Sequence, residues 1–164
     1  MANGMQLDRD RLQALLLGRI EPARALGLAV AAAGREQVVL TAPLAGNRND
    51  KGSAFAGSLL SAAALAGWAL VSCVCADESI DAEVALQGAA ARFLAPARLD
   101  FRAEARAPES AALAKLKKML ARGGRGRIEI GVVITSGETQ VMNFTGSYAV
   151  ILGGDRSRAS PDIE

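Results

Sequence analysis

The stretch Ala54-Phe55-Ala56-Gly57-Ser58-Leu59-Leu60-Ser61-Ala62-Ala63-Ala64-Leu65-Ala66-Gly67-Trp68-Ala69-Leu70-Val71-Ser72-Cys73-Val74-Cys75-Ala76 carries no charge along its whole length. It is long enough to cross a bilayer. Against that reading, it is rich in Ala, Gly and Ser and low in Leu, Ile and Phe, and no basic cluster flanks it. It reads instead as a buried helix from about Phe55 to Cys75, some ~30 Å long at ~1.5 Å per residue. A helix without a polar face needs apolar cover on nearly every side. An antiparallel sheet curled around it supplies that cover, so the expected class is α+β, with the sheet wrapped around a long central apolar helix.

The flanking sequence fits this picture. Upstream, Leu12, Leu15, Leu16 and Ile20 recur at helical spacing, predicting an amphipathic helix that ends before Pro22. Leu26 to Ala33 and Gln37 to Ala42 read as a strand pair turned at Gly34-Arg35, followed by a polar loop from Pro43 to Ser53. Downstream, Glu83 to Leu94 is an extended small-residue strand stopped by Pro96. Arg98 to Ala107 alternates, with Leu99, Phe101, Ala103 and Ala105 on one face and charges on the other, the mark of an antiparallel strand with one wet side. Ser110 opens a short helix with Leu113, Leu116 and Leu120 inward. Arg127 to Thr135 and Gln140 to Leu152 make a hairpin around Ser136-Gly137-Glu138. One domain over residues 1–152 is expected, with 153–164 as a disordered tail.

Composition excludes several chemistries. There is no histidine among the 164 residues, which removes Ser-His and Cys-His nucleophile pairs, His bases and His metal ligands together. Cys73 and Cys75 cannot alone close a zinc site. They read as small buried hydrophobes of a reducing cytoplasm, and no metal or resident cofactor is expected. A net charge of +2 gives no broad nucleic-acid footprint. Leu15 to Leu17 is too short for the apolar core of a signal peptide. A cytoplasmic protein with no membrane span is expected.

The loop that leads into the long helix carries the functional signal. Asn49-Asp50-Lys51-Gly52-Ser53-Ala54-Phe55-Ala56-Gly57 has the pattern Asn-x-x-Gly-x-x-Phe-x-Gly, which resembles the acyl-CoA thioesterase motif of hotdog-fold proteins. With the Pro43-Leu44 lead-in, Gly67-Trp68 downstream and the Arg92-Phe93-Leu94-Ala95-Pro96-Ala97-Arg98 strand turn, the chain looks closest to one branch. That branch is the thioesterase domain also found C-terminal to some bacterial GNAT-type acetyltransferases. The resemblance covers roughly Leu12 to Leu152. It implies the hotdog fold, hydrolysis of acyl thioesters carried on coenzyme A or acyl-carrier protein, and a homo-oligomer that is a dimer at minimum or a tetramer. Coenzyme A would enter only as part of the substrate.

The chemistry can be read from the residues as well. Thioester hydrolysis needs an oriented water and donors for the developing oxyanion. Unpaired N–H groups at the start of the long helix supply donors, and the helix dipole favours negative charge there. Gly57 has no side chain to block a carbonyl, and Asn49 is placed to hold the water or the carbonyl. Asn47, Gly52, Ser53, Phe55, Ser58 and Ser61 complete the candidate substrate site; the alternative is a Gly-rich loop that merely turns the chain and caps the helix, with Ser53 as the cap. Relatives of this type often carry an acidic residue one or two turns into the helix. Here that stretch is Ala62-Ala63-Ala64-Leu65. Asp50 and Glu83 are the nearest candidate bases. Lys115, Lys117, Lys118, Arg122, Arg125 and Arg127 form a basic cluster; Lys117, Lys118, Arg122 and Arg125 are its candidates for the coenzyme A phosphates, against a solvated helix face. A non-catalytic acyl-thioester binding module is the rival function.

Overall fold

The computed structural model describes residues 6–153. The tail expected over 153–164 lies, apart from Gly153, outside the described residues. Helix α1 spans Arg9–Arg19, its start capped by the Asp8 carboxylate accepting from the Arg11 N–H at 2.9 Å. Leu12 and Leu16 face inward and are fully buried. The chain leaves helical geometry before Pro22, as expected: Ile20 is extended, at φ −120° and ψ 97°. It restarts as α2, Glu21–Ala25, with Pro22 in the first turn, where a missing N–H costs nothing. Gly27, at φ 67°, ends that turn, so the following strand β1 covers only Ala29–Ala32.

Strand β2 is Gln37–Ala42, and the long helix α3 is Ala56–Asp77. Then follow β3 (Ala82–Phe93), β4 (Phe101–Arg106), α4 (Ser110–Gly123), β5 (Arg125–Ser136) and β6 (Thr139–Leu152). The strands form one six-stranded antiparallel sheet in the order β1-β2-β4-β5-β6-β3. Helix α3 packs against β2, β3, β4, β5 and β6, which is the hotdog arrangement.

Alternation sets the inner face of the sheet. Phe101, Ala103 and Ala105 of β4 and Ile128, Ile130, Val132 and Ile134 of β5 are all buried, while their neighbours in sequence face water. Leu99, expected on that inner face, is 62% exposed. The strand begins only at Phe101. The Ser136 hydroxyl holds the Leu99 backbone, accepting from its N–H and donating to its carbonyl, both at 2.9 Å. Helix α4 seats Leu116 and Leu120 against the core and ends on Gly124 in the left-handed region at φ 68°. By length and composition α3 could cross a membrane. Here most of it is covered by the sheet.

Cover on α3 is incomplete on one side. Gly57, Leu60, Ser61, Ala64, Leu65, Trp68 and Ser72 recur at helical spacing and are only half-buried. Strand β3 lies at the sheet edge beside this stripe, and every residue in it other than Ala82 and Val84 is exposed. Register with β6 puts Leu86, Ala89, Ala91 and Phe93 opposite Tyr148, Gly146, Phe144 and Met142, on the inner face. Trp68 is half-buried on the open stripe and packs against the core. Its indole N–H donates to the Val84 carbonyl at 3.1 Å.

Candidate active site

The loop before α3 is held by two asparagines. Asn47 is buried (4% exposed), and its amide donates to the carbonyls of Leu26 (2.9 Å) and Pro43 (2.8 Å). Its own carbonyl accepts from the Phe55 N–H at 2.7 Å. Asn47 thus ties the loop to the end of α2 and fixes where α3 starts. Asn49 is the second pin. Its Oδ1 accepts from the Lys51 N–H (2.9 Å) and the Ser53 N–H (3.2 Å), while Nδ2 donates to Ser53 Oγ at 3.0 Å and, more weakly, to the Ala54 carbonyl at 3.5 Å. That amide is committed inside the loop, which leaves it no free donor for water. Gly52 sits within this turn at φ 78°, a conformation that favours glycine.

Ser53 is buried but does not cap α3, as the sequence suggested it would. The cap position is Phe55, and no side chain satisfies the first N–H groups. The Ser58 and Leu59 N–H groups reach back to the Phe55 carbonyl at 3.0 and 3.2 Å. The N–H groups of Ala56 and Gly57 find no acceptor among the described residues. The Phe55 ring, 56% exposed, lies over Gly57, where any added Cβ would collide with it. Ser58 is buried, whereas Ser61 stands one turn below Gly57 on the half-covered stripe.

The two candidate acids are placed differently. Asp50 is exposed, with both oxygens on Lys51 Nζ at 3.1 and 3.0 Å. Glu83 pairs with Ile151, which pairs with Arg125, so it lies on the outer face of the sheet. It is also at the wrong end of β3. The helix start is tied to the far end, where the Ala54 N–H donates to the Ala97 carbonyl at 2.8 Å. Ten residues of strand at about 3.3 Å each separate Glu83 from Phe93. The basic cluster is displaced in the same way. Lys117 Nζ donates to Glu78 Oε2 at 2.6 Å, just past the C-terminus of α3. Lys118, Arg122 and Arg125 are exposed near that end, a helix length of ~33 Å from Gly57 within the chain.

The sequence reading missed the half-covered stripe on α3. Its signal is weak, because Ala, Gly and Ser occupy both the covered and the uncovered positions.

The whole described domain matches known proteins. A family model described as "Putative thioesterase (yiiD_Cterm)" matches residues 9–152. A protein of unknown function from Chlorobaculum tepidum shares 27% identity and superposes with a TM-score of 0.82, over 90% of this chain and 99% of that one. A Pseudomonas aeruginosa protein described as a "probable thioesterase" shares 25% identity, with a TM-score of 0.79 and coverage of 92% and 99%. A thioesterase from Haemophilus influenzae, at 17% identity and TM-score 0.72 over 93% and 96%, shares the fold. The match from residue 9 to residue 152 spans both the loop pins and the open helix start, and the chain belongs to this thioesterase family: it is a hotdog-fold thioester hydrolase.

Proposed function

We propose that the protein hydrolyses acyl-CoA thioesters at the start of α3, with the Gly57 N–H as the oxyanion donor. One observation carries this reading: the Ala56 and Gly57 N–H groups lack any acceptor at the end of a 22-residue helix whose dipole favours negative charge. Asn49 and Asn47 act as positioning residues that hold the loop so that those donors point outward. Ser61, one turn on, orients the attacking water. No titratable side chain lies on the half-covered stripe of α3 or on the inner face of β3 beside it. Water therefore attacks the electrophilic thioester carbonyl and loses its proton to solvent, not to a carboxylate, and the C–S bond breaks with coenzyme A leaving as the thiol.

The assembly follows from the same surface. Two β3 edges pair antiparallel across a two-fold axis, extending the sheet and covering Leu86, Ala89, Ala91 and Phe93 with the partner's helix stripe. The acyl chain lies in that apolar seam, so a dimer is the minimum active unit. Two unpaired, buried thiols suit a reducing compartment, and we place the protein in the cytoplasm.

Gly57→Val tests the mechanism. The new side chain meets the ring of Phe55, an exposed side chain free to move, so melting temperature should change little. Valine keeps the backbone N–H but blocks the carbonyl's approach to it, which should cost as much as losing one oriented donor, ~10²–10³ in kcat. A drop of that size is expected in steady-state hydrolysis across a panel of acyl-CoA chain lengths. Undiminished turnover in a folded Gly57→Val protein rules the mechanism out. Tight acyl-CoA binding without turnover in the parent chain would make it a binding module.

A further inference from the structure

Three segments meet beside the helix start. Arg48 pairs with Ala54 in an antiparallel bridge, Ala54 is held by the Ala97 carbonyl, and Arg98 follows directly. The two arginines line an open cleft of about 500 Å³ together with Leu44, Leu99, Asp100 and Gly137. Both are exposed, and neither side chain has an ion pair or hydrogen bond among the described residues. By contrast, Arg35, Arg106 and Lys117 are already paired with acids.

The cleft is built, not loose. The buried Ser136 hydroxyl clamps the Leu99 backbone from both sides, which leaves the Leu99 side chain 62% exposed on a fixed main chain. Asp100, the one carboxylate among the lining residues, accepts from the Leu44 N–H at 2.8 Å. Its charge is outnumbered by the two guanidinium groups. Two free, forked donors with an apolar platform between them match a phosphorylated nucleotide. Guanidinium groups take phosphate oxygens in paired hydrogen bonds, and an aliphatic side chain packs on the face of a base.

We propose that this cleft receives the nucleotide end of coenzyme A, with the phosphates on Arg48 and Arg98 and the adenine against Leu99. The proposal rests on the thioesterase reading for its substrate. It moves the phosphate contact from the cluster on α4 to the end of the molecule where the free N–H groups stand. The pantetheine arm then runs from the cleft past Ala54 to Gly57.

The test compares Arg48→Gln/Arg98→Gln with the parent, using coenzyme A in calorimetric titration and acyl-CoA against acyl-pantetheine in kinetics. Glutamine keeps a neutral hydrogen bond at each position but loses the charge, so the Kd for coenzyme A should rise about tenfold or more. The ratio of kcat/KM for acyl-CoA to that for acyl-pantetheine should fall by a similar factor. Leu99→Ser should weaken coenzyme A binding and leave 4′-phosphopantetheine binding as it was. An unchanged Kd in the double variant overturns the proposal. So does a rise in KM from Lys118→Glu/Arg122→Glu with none from the arginine pair. Weakened coenzyme A binding in the double variant of a parent that hydrolyses nothing would leave the nucleotide cleft standing and remove the thioesterase mechanism. Full hydrolysis with unchanged binding would do the reverse.

Discussion

Gly67 shows how a single residue fixes the spacing between helix and sheet. It faces Tyr148, which is fully buried and donates its hydroxyl to the Ala64 carbonyl at 2.8 Å. A Cβ at Gly67 would collide with the Tyr148 ring and hydroxyl. Gly67→Ala should therefore destabilise by ~1–3 kcal/mol through overpacking. Adding Tyr148→Phe removes the nearest clashing atom and should recover part of that loss in chemical denaturation. A double variant no more stable than Gly67→Ala alone would locate the strain elsewhere. Cys73 and Cys75 are residues of the same buried layer. Burial pushes both thiols from the ordinary 9.0 up to about 11, so at neutral pH almost no thiolate is present. Neither should react with iodoacetamide in the native protein at pH 7.5, and both should react once it is unfolded; mass spectrometry of the labelled protein checks this. The sign for stability follows. The raised thiols contribute fully below their unfolded value, and that contribution is lost as pH climbs through about 11.

At the scale of elements, the C-terminal end of α3 needs help that its start does without. Asp77 and Glu78 place negative charge where the helix dipole is already negative. Arg35, in the turn between β1 and β2, reaches Asp77 Oδ2 at 2.6 Å and Glu78 Oε1 at 3.4 Å, and Lys117 of α4 reaches Glu78 from the other side. The Lys117 hydrogen bond, opposed in part by desolvation, holds the Glu78 carboxyl below the usual glutamate range. A lowered folded pKa stabilises above the ordinary glutamate value and ceases to do so as pH falls through the lower folded one. Glu78→Gln should thus lower the melting temperature at pH 7, and the gap from the parent should close below about pH 4. A gap independent of pH would show that the pair contributes nothing by charge. The alternation of β4 and β5 and the apolar run of α3 were legible in sequence because burial there follows a fixed period. The restart at Pro22 was not, since proline stops a helix in its interior yet suits a first turn.

The whole molecule is left open along β3. A twelve-residue edge strand whose inner face carries Leu86, Ala89, Ala91 and Phe93 is an invitation to pair with another chain. Placing charge in the proposed seam, where the acyl chain also lies, tests whether assembly and chemistry stand together. Leu86→Asp lies on β3, at the sheet edge and outside the loop and the start of α3. It should convert the protein to monomer in light scattering at micromolar concentration and abolish hydrolysis with it. A fully active monomer would place the site within one chain. The absence of any titratable group on this surface has a kinetic consequence as well. Without a side-chain base, kcat/KM should keep rising with pH from 6 to 9, so long as the fold holds. A plateau reached through the carboxylate range would restore Asp50 as the base.

Sequence by itself determined that α3 exists, that an antiparallel sheet covers most of it, and that no histidine among these 164 residues serves the chemistry. These follow from periodicity and composition, which act locally or by simple absence. It also marked Asn49 and Gly57, because their spacing sits where a loop enters a helix. Only the tertiary structure decided what they do. Asn49 spends its amide on Ser53 and Lys51, and Glu83 and the α4 lysines lie a helix length away. Arg48 and Arg98 meet because the Ala54 N–H binds the Ala97 carbonyl. Such pairings join residues some fifty positions apart, and no local pattern encodes a contact that the chain must fold to make.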